Sequence, residues 1–576
     1  MGDLKFLARV SMPALALALA GCGGAGDGVS SAPNPSPVPT NASLDALTVK
    51  QSFTNDAGTQ TARFDLGTSN SVSGSSASAP LTITYDPSGN TYTLSTAGRS
   101  QSFARSDITS SGQGMAVYSK TVTGGRDLLT LWAPGFGGNG PRYVGRAMWQ
   151  HNAVSGNTQD TTLDMVTYGI PTAASAVPRA GSAVFNTDVF GVTTRPGFQP
   201  RSFAGAGSFN VDFLTGAFLS VTPVTETELV SGAGVSGGGI EVTLAGKLSA
   251  SDGTFSGYAA YGGANSQSQG KTSGRFYGPN AGELGAVFTT SGADGSSATG
   301  ALLGVKAGDQ ATTNLALSNL VADQLFYTSN AWTELVNSGL NSSTSTGNGQ
   351  LTRNVDGSFS FPGPSSAMAY GTIAASDQIA ASAANFTTYR KTLGPYDVTA
   401  DFYTPGSANT ELALTYTSFA HFTERTGSFE SYNLYTVYGI DTVPGILAAR
   451  SGTAHYTGVA YGTGLDTAAG ARYAITGTSS FDADFSAATL KGVLNLAGQS
   501  ASGNQNYGTF TFATTIFNGY PVTAGLGKGG ADWGTISPRF YGPSGQEIGA
   551  TFQFTVPAGQ AGAGTSVAGA AVAKGG

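Results

Sequence analysis

The chain has 576 residues, 84 of them Gly and 24 Pro, with only 11% charged and a net charge of −7. Charge at under half the roughly 25% of ordinary soluble domains, with an acidic balance, excludes long charged helices, coiled coils and a broad basic surface for nucleic acid. Hydrophobic residues at 40% and aromatics at 10% supply real cores, and the length suggests about three or four domains.

Lys5 and Arg9 precede an apolar run from Val10 to Ala20 that is too short to span a bilayer and reads as a signal-peptide core. It ends in Leu19-Ala20-Gly21-Cys22, which resembles the bacterial lipobox, and Cys22 is the only cysteine in the chain. Cys22 is therefore expected to carry lipid, with residues 1–21 as the lipoprotein signal peptide. A lone cysteine also excludes an internal disulfide and a thiolate zinc site. Gly23-Gly24 in place of an Asp resembles lipoproteins sorted to the outer membrane. The Pro- and Ser-rich segment that follows predicts a flexible tether over 22–44.

The rest of the chain repeats itself. Gly274-Arg275-Phe276-Tyr277-Gly278-Pro279 through Glu283, Gly285 and Phe288 recurs 264 residues later as Pro538-Arg539-Phe540-Tyr541-Gly542-Pro543 through Glu547, Gly549 and Phe552. Tyr168-Gly169-Ile170 matches Tyr438-Gly439-Ile440, and Ser208-Phe209 to Phe213 matches Ser480-Phe481 to Phe485, in the same order. Two homologous lobes follow. Their local pattern is β: Phe209, Val211 and Phe213 alternate with Asn210 and Asp212, as Phe481, Ala483 and Phe485 do with Asp482 and Asp484. On that pattern Asp212 and Asp484 face water. Asp86 to Asn90 and Asp356-Gly357 read as hairpin turns, and Gly- and Ser-rich breaks suggest meanders closed into barrels. The Gly-Pro pairs at 278–279 and 542–543 make rigid corners, since Gly takes positive φ and Pro fixes its own. The motif is accordingly expected to be structural and to close the barrel, with its own runs Leu284 to Phe288 and Ile548 to Phe552 as the final strands.

Catalytic patterns are weak. Gly234-Val235-Ser236-Gly237-Gly238 has no helix after it, so the strained nucleophile elbow is missing, and Gly525 to Gly530 reads as a hairpin tip rather than a phosphate loop. His151, His421 and His455 are the only histidines, so no His-based metal site and no resident cofactor is expected. Ligation of haem at His421 or His455 lacks a second ligand. Binding loops are the better candidates: Trp132, Phe136, Arg142 and Tyr143 surround a Gly-rich stretch and are of the types that dominate interface hot spots. The stretch from Pro395-Tyr396 to Tyr403-Gly406 is its expected counterpart.

At the Phe-Tyr-Gly-Pro elements the sequence looks like the bacterial transferrin-binding protein B family, whose barrels end in Phe-Tyr-Gly-Pro-x-Ala-x-Glu-Leu-Gly-Gly-x-Phe. Ala281, Glu283 and Leu284 follow that pattern; Gly545 stands where the family has Ala, and Ala286 and Ala550 stand where it usually has a second Gly. The resemblance implies an all-β dominated fold of two lobes, each a β-rich handle domain plus an eight-stranded antiparallel β-barrel. The implied domains are an N-lobe handle over 45–165, its barrel over 166–300, a C-lobe handle over 305–435, its barrel over 436–557, and a flexible tail over 558–576. It also implies a surface lipoprotein of the bacterial outer membrane, not an enzyme, that captures an iron-carrier, haem-type or other nutrient ligand for a TonB-dependent transporter. The low charge departs from the Lys- and Glu-rich members that bind transferrin and argues against transferrin itself. An adhesive or structural envelope role on the same scaffold is the alternative; two membrane-embedded barrels would make a lipid anchor redundant.

Overall fold

The computed structural model describes residues 40–576 apart from 113, 133–139, 238, 265, 337–340, 364–367, 427–428, 502 and 576. The expected signal peptide, Cys22 and most of the tether lie outside the described residues. The chain divides into two compact units, Met1–Phe209 with Leu219–Asp309, and Asn210–Phe218 with Gln310–Gly576. Among the described residues nearly everything ordered is strand, with one short α-helix at Pro444–Ala448, and no helix is long and apolar enough to cross a membrane.

The first handle is a nine-stranded antiparallel sheet. Its first strand, Gln51–Asp65, pairs on one side with Asn70–Asp86 and on the other with its last, Thr158–Gly169, so two meanders join along one seam. Phe53, Ile83, Leu94, Phe103, Leu129 and Trp149 fill its core. The start of this handle corrects the tether boundary. The Asn41 amide donates to the Val49 carbonyl at 2.9 Å and its oxygen accepts from Thr48 and Val49 N–H, while Leu44 is buried in the handle core. Asn314 repeats the device at the head of the second handle, with Ala322 and Val321 as partners. That handle also has nine strands, in which Gln324–Val336 pairs with Asn341–Arg353 and Phe429–Gly439.

Each barrel is a closed ring of eight antiparallel strands. In the first, Ser182–Thr194 pairs with both Arg201–Asp212 and Ser297–Gly308; in the second, Thr489–Ser500 closes on Gly503–Phe517. Phe481, Phe510, Phe512, Phe540, Phe552 and Phe554 pack the second lumen, while Thr476, Thr478, Lys491 and Asn495 point outward and are exposed. An aromatic interior with a polar exterior is the reverse of a channel-forming membrane barrel.

Four expectations are corrected here. The segment 558–576 is not a flexible tail: Ser566–Gly575 is the last barrel strand, paired with Thr453–Asp466 and Glu547–Thr555. Likewise Ser297–Gly308 carries the first barrel beyond residue 300. The motif strands Glu283–Ser291 and Glu547–Thr555 are thus penultimate, not final. Asp212 does not face water; it is 3% exposed, and its carboxylate accepts the Leu214 and Thr215 N–H groups at 2.9 and 3.1 Å, capping its own turn.

Candidate functional site

The duplicated motif lies where handle meets barrel, and its glutamate does the joining. Glu283 begins a barrel strand, is 6% exposed, and accepts three backbone N–H groups from the handle: Arg142 at 2.7 Å on Oε1, and Tyr143 at 2.7 Å and Val144 at 3.0 Å on Oε2. Glu547 repeats this with Thr415, Tyr416 and Thr417 at 2.7, 2.8 and 2.9 Å. Burial pushes both carboxyls above the usual glutamate value, and the three donors oppose that rise.

The corner residues lock the same place. The Gly278 N–H donates to the Ile170 carbonyl at 3.0 Å, and Ile170 N–H donates to Tyr143. Thr172 Oγ1 donates to the Gly278 carbonyl at 2.6 Å. In the second lobe Gly542, Ile440, Tyr416 and Thr442 make the identical set. Gly278 has φ +71°, and a Cβ there would sit 2.5 Å from the Tyr143 ring; Gly542, at φ +92°, would meet Tyr416 at 2.6 Å. Gly285 and Gly549 allow close approach of the handle residues Val144 and Val437. Pro279 and Pro543 lead the turn out of the corner. Phe276 and Phe540 point into the lumens, against Phe255 at 5.5 Å and Tyr456 at 5.9 Å. Tyr277 and Tyr541 are fully buried, and Asn55 Nδ2 donates to the Tyr277 hydroxyl at 3.1 Å. The motif therefore fastens each barrel to its handle, a role that barrel closure alone does not describe.

The loop candidates belong largely to this joint. Arg142 and Tyr143 supply two of the Glu283 donors, and Arg142 Nε also pairs with Asp45 at 2.9 Å. Trp132 packs on Phe190 at 5.3 Å beneath the Arg146 guanidinium. Phe136 lies outside the described residues. The structural counterpart of Tyr143 is Tyr416; Pro395-Tyr396 instead begins the strand Tyr396–Tyr403, so only the far end of that expected match is in register.

The three histidines do not converge. His151 Nδ1 lies 2.6 Å from Asp127, His455 Nδ1 2.6 Å from Asp482, and His421 stacks on Tyr435 at 4.3 Å. Among the described residues no group of three or more His, Cys, Asp or Glu could hold a metal ion. Gly234–Val235 forms an edge strand that no helix follows among the described residues, and Gly529 and Gly530, both at positive φ, make a hairpin turn.

Residues 449–575, the second barrel, match the family model described as the C-lobe and N-lobe beta barrels of Tf-binding protein B. The second barrel is a member of that barrel family, and the resemblance carried by the Phe-Tyr-Gly-Pro elements holds there. No curated protein matches the chain. Solved structures that it matches include a transferrin-binding protein B double mutant from Haemophilus parasuis Hp5, at 16% identity and TM-score 0.28, covering 75% of this chain and 83% of that one. Intact Ap-TbpB, with N and C lobes, matches at 15% identity and TM-score 0.28, covering 75% and 84%. The isotype 1 protein from serogroup B Neisseria meningitidis matches at 16% and 0.25, covering 76% and 85%.

Proposed function

We propose that the chain is an outer-membrane lipoprotein, anchored through Cys22 and displayed at the cell surface, that captures a nutrient ligand and passes it to a TonB-dependent transporter. The ligand class is an iron-carrier protein or a haem-type molecule. The observation that carries this reading is the second barrel's membership in the Tf-binding protein B barrel family, set in a chain that repeats the same handle-to-barrel joint in both lobes. The carboxylates of the repeated motif are spent on backbone N–H groups, which suits a rigid binding scaffold better than a catalyst. Partner choice would then lie in side chains outside the motif.

Residues 23–576, incubated with culture medium or host fluids, should retain a specific protein identifiable by mass spectrometry, or should change the absorbance of added haem. Absence of both capture and an absorbance change would overturn the reading. Release of a Cys22→Ser variant from membranes, together with protease accessibility on intact cells, tests the anchor and the surface placement separately.

A further inference from the structure

At the seam of handle and barrel each lobe places three side chains at equivalent positions. They are the last residue of the strands Gly125–Trp132 and Tyr396–Tyr403, the third of Val144–Ser155 and Thr417–Thr426, and the ninth of Ser182–Thr194 and Thr453–Asp466. In the first lobe these are Trp132, Arg146 and Phe190; in the second they are Tyr403, Phe419 and Tyr461. The outer two rings keep their arrangement, 5.3 Å apart at 49° in one lobe and 6.0 Å apart at 48° in the other. The middle position changes chemistry. The Arg146 guanidinium lies 4.7 Å from Trp132 and 5.6 Å from Phe190 and pairs with Asp188 at 2.8 Å, so the first lobe fills its aromatic site with its own cation.

The second lobe keeps the rings and an acid but has lost the cation. Phe419 is fully buried and stacks on Tyr403 at 5.0 Å, and Val459 stands where Asp188 stood. A carboxylate arrives from elsewhere: Glu411, exposed, accepts the Tyr461 hydroxyl at 2.7 Å and the Tyr403 hydroxyl at 3.1 Å on one oxygen, Oε2. Its loop is fixed by Asn409, whose oxygen accepts the Glu411 and Leu412 N–H groups at 3.0 Å, and by Asn385, which accepts that of Thr410. Half-exposed Phe386 borders the same surface, 5.4 Å from Tyr461. Among the described residues Glu411 has no ion pair, and the ammonium of Lys574, in the same loop's vicinity, donates to the Ala413 carbonyl at 3.0 Å.

We infer that this surface of the second lobe, formed by Phe386, Tyr461 and Glu411, receives an arginine side chain of a protein ligand. Arg146 in the first lobe is the template for what fits between such rings and an acid. A planar guanidinium can stack on Phe386 or Tyr461 while donating to Glu411, and the ordered loop lowers the cost of forming that contact. The inference rests on the ligand-capture reading only for the source of the arginine, since a short peptide tests the site by itself.

The probe is a fluorescent hexapeptide of alternating Gly and Arg, titrated into residues 23–576 by anisotropy, with citrulline as the neutral counterpart of arginine and lysine in a third peptide. The arginine peptide should bind about tenfold more tightly than the citrulline peptide, and Glu411→Gln or Phe386→Ala should each remove most of that difference, on the scale of one charge-assisted contact. Asp309→Asn, at an exposed acid elsewhere, should leave it unchanged. Equal binding by Glu411→Gln and the parent protein overturns the inference, as does an equal loss in Asp309→Asn, which would mean general attraction to an acidic chain. Stronger binding of the lysine peptide overturns the choice of arginine. Glu411→Gln keeps an oxygen that can accept the two tyrosine hydroxyls and decides the matter even where Phe386→Ala lowers thermal stability. Peptide binding with neither a captured protein nor a change in haem absorbance would sink the ligand-capture reading and leave the site standing.

Discussion

Glu283 on the first barrel accepts the backbone N–H of Val144, 139 residues earlier in the chain, and Glu547 accepts that of Thr417, 130 residues earlier. Each carboxylate spans from barrel to handle and serves three consecutive donors that lead into one handle strand, Val144–Ser155 or Thr417–Thr426. A glutamine would keep one acceptor oxygen but turn an NH2 toward at least one donor. Glu283→Gln and Glu547→Gln should each destabilise their own lobe by about 1–3 kcal/mol, the cost of stranding a buried N–H. Urea unfolding followed by tryptophan fluorescence and circular dichroism would measure this; unchanged midpoints would show that the joint is held by packing alone.

The corner glycines are held by two independent constraints. Gly278→Ala places a Cβ in the left-handed region and 2.5 Å from the Tyr143 ring, so a loss of about 2 kcal/mol or more is expected. Gly282→Ala, four residues on, is the control: φ is −72° and the nearest atom, the Pro279 carbonyl oxygen, is 3.4 Å away. Its melting temperature should stay close to that of the parent. Equal melting of the two variants would contradict the corner's role.

Truncation after residue 557 should abolish the second barrel rather than trim a loose end. Ser566–Gly575 contributes a strand paired on both sides, and Val567, Ala568 and Ala570 to Ala573 are fully buried. Ser342 and Thr344 of the handle donate to Ser566 Oγ at 3.0 Å and the Val567 carbonyl at 3.3 Å, so the strand is covered on its handle side as well as its lumen side. The truncated chain should lose one cooperative transition in calorimetry and become protease-sensitive from Thr453 onward.

That strand also marks where sequence reading stops. Alternation identified strands with one wet face, such as Phe481 to Asp484, and the ordered repeats identified two lobes. Ser566–Gly575 and Ser297–Gly308 are buried on both faces over most of their length and show no alternation; the small residues Ala568-Gly569-Ala570-Ala571 lack the β-branched signature too. The motif's glutamate was legible as a repeat but not as a clasp, because its partners are backbone groups more than a hundred residues away that carry no sequence mark. The aromatic site of the second lobe was hidden in the same way. Tyr403, Phe419 and Tyr461 lie on three strands, and only comparison with the first lobe's equivalent positions shows that Phe419 stands where Arg146 does.

Glu424 gives the second lobe a distinctive pH response. It sits in the strand Thr417–Thr426, is 3% exposed, and is paired in register with Val398 and Tyr432 beside the handle core. Burial pushes its carboxyl from 4.5 up to about 7. The folded state therefore holds a proton that the unfolded state releases between those values, so the stabilising contribution is complete below pH 4.5 and is lost as pH rises through about 7. The change attributable to this group is on the order of 3 kcal/mol. Glu424→Gln, which stays neutral, should raise the melting temperature of the second lobe at pH 8, leave it nearly unchanged at pH 5, and flatten the slope between. A slope identical to that of the parent protein would assign the pH dependence to other groups.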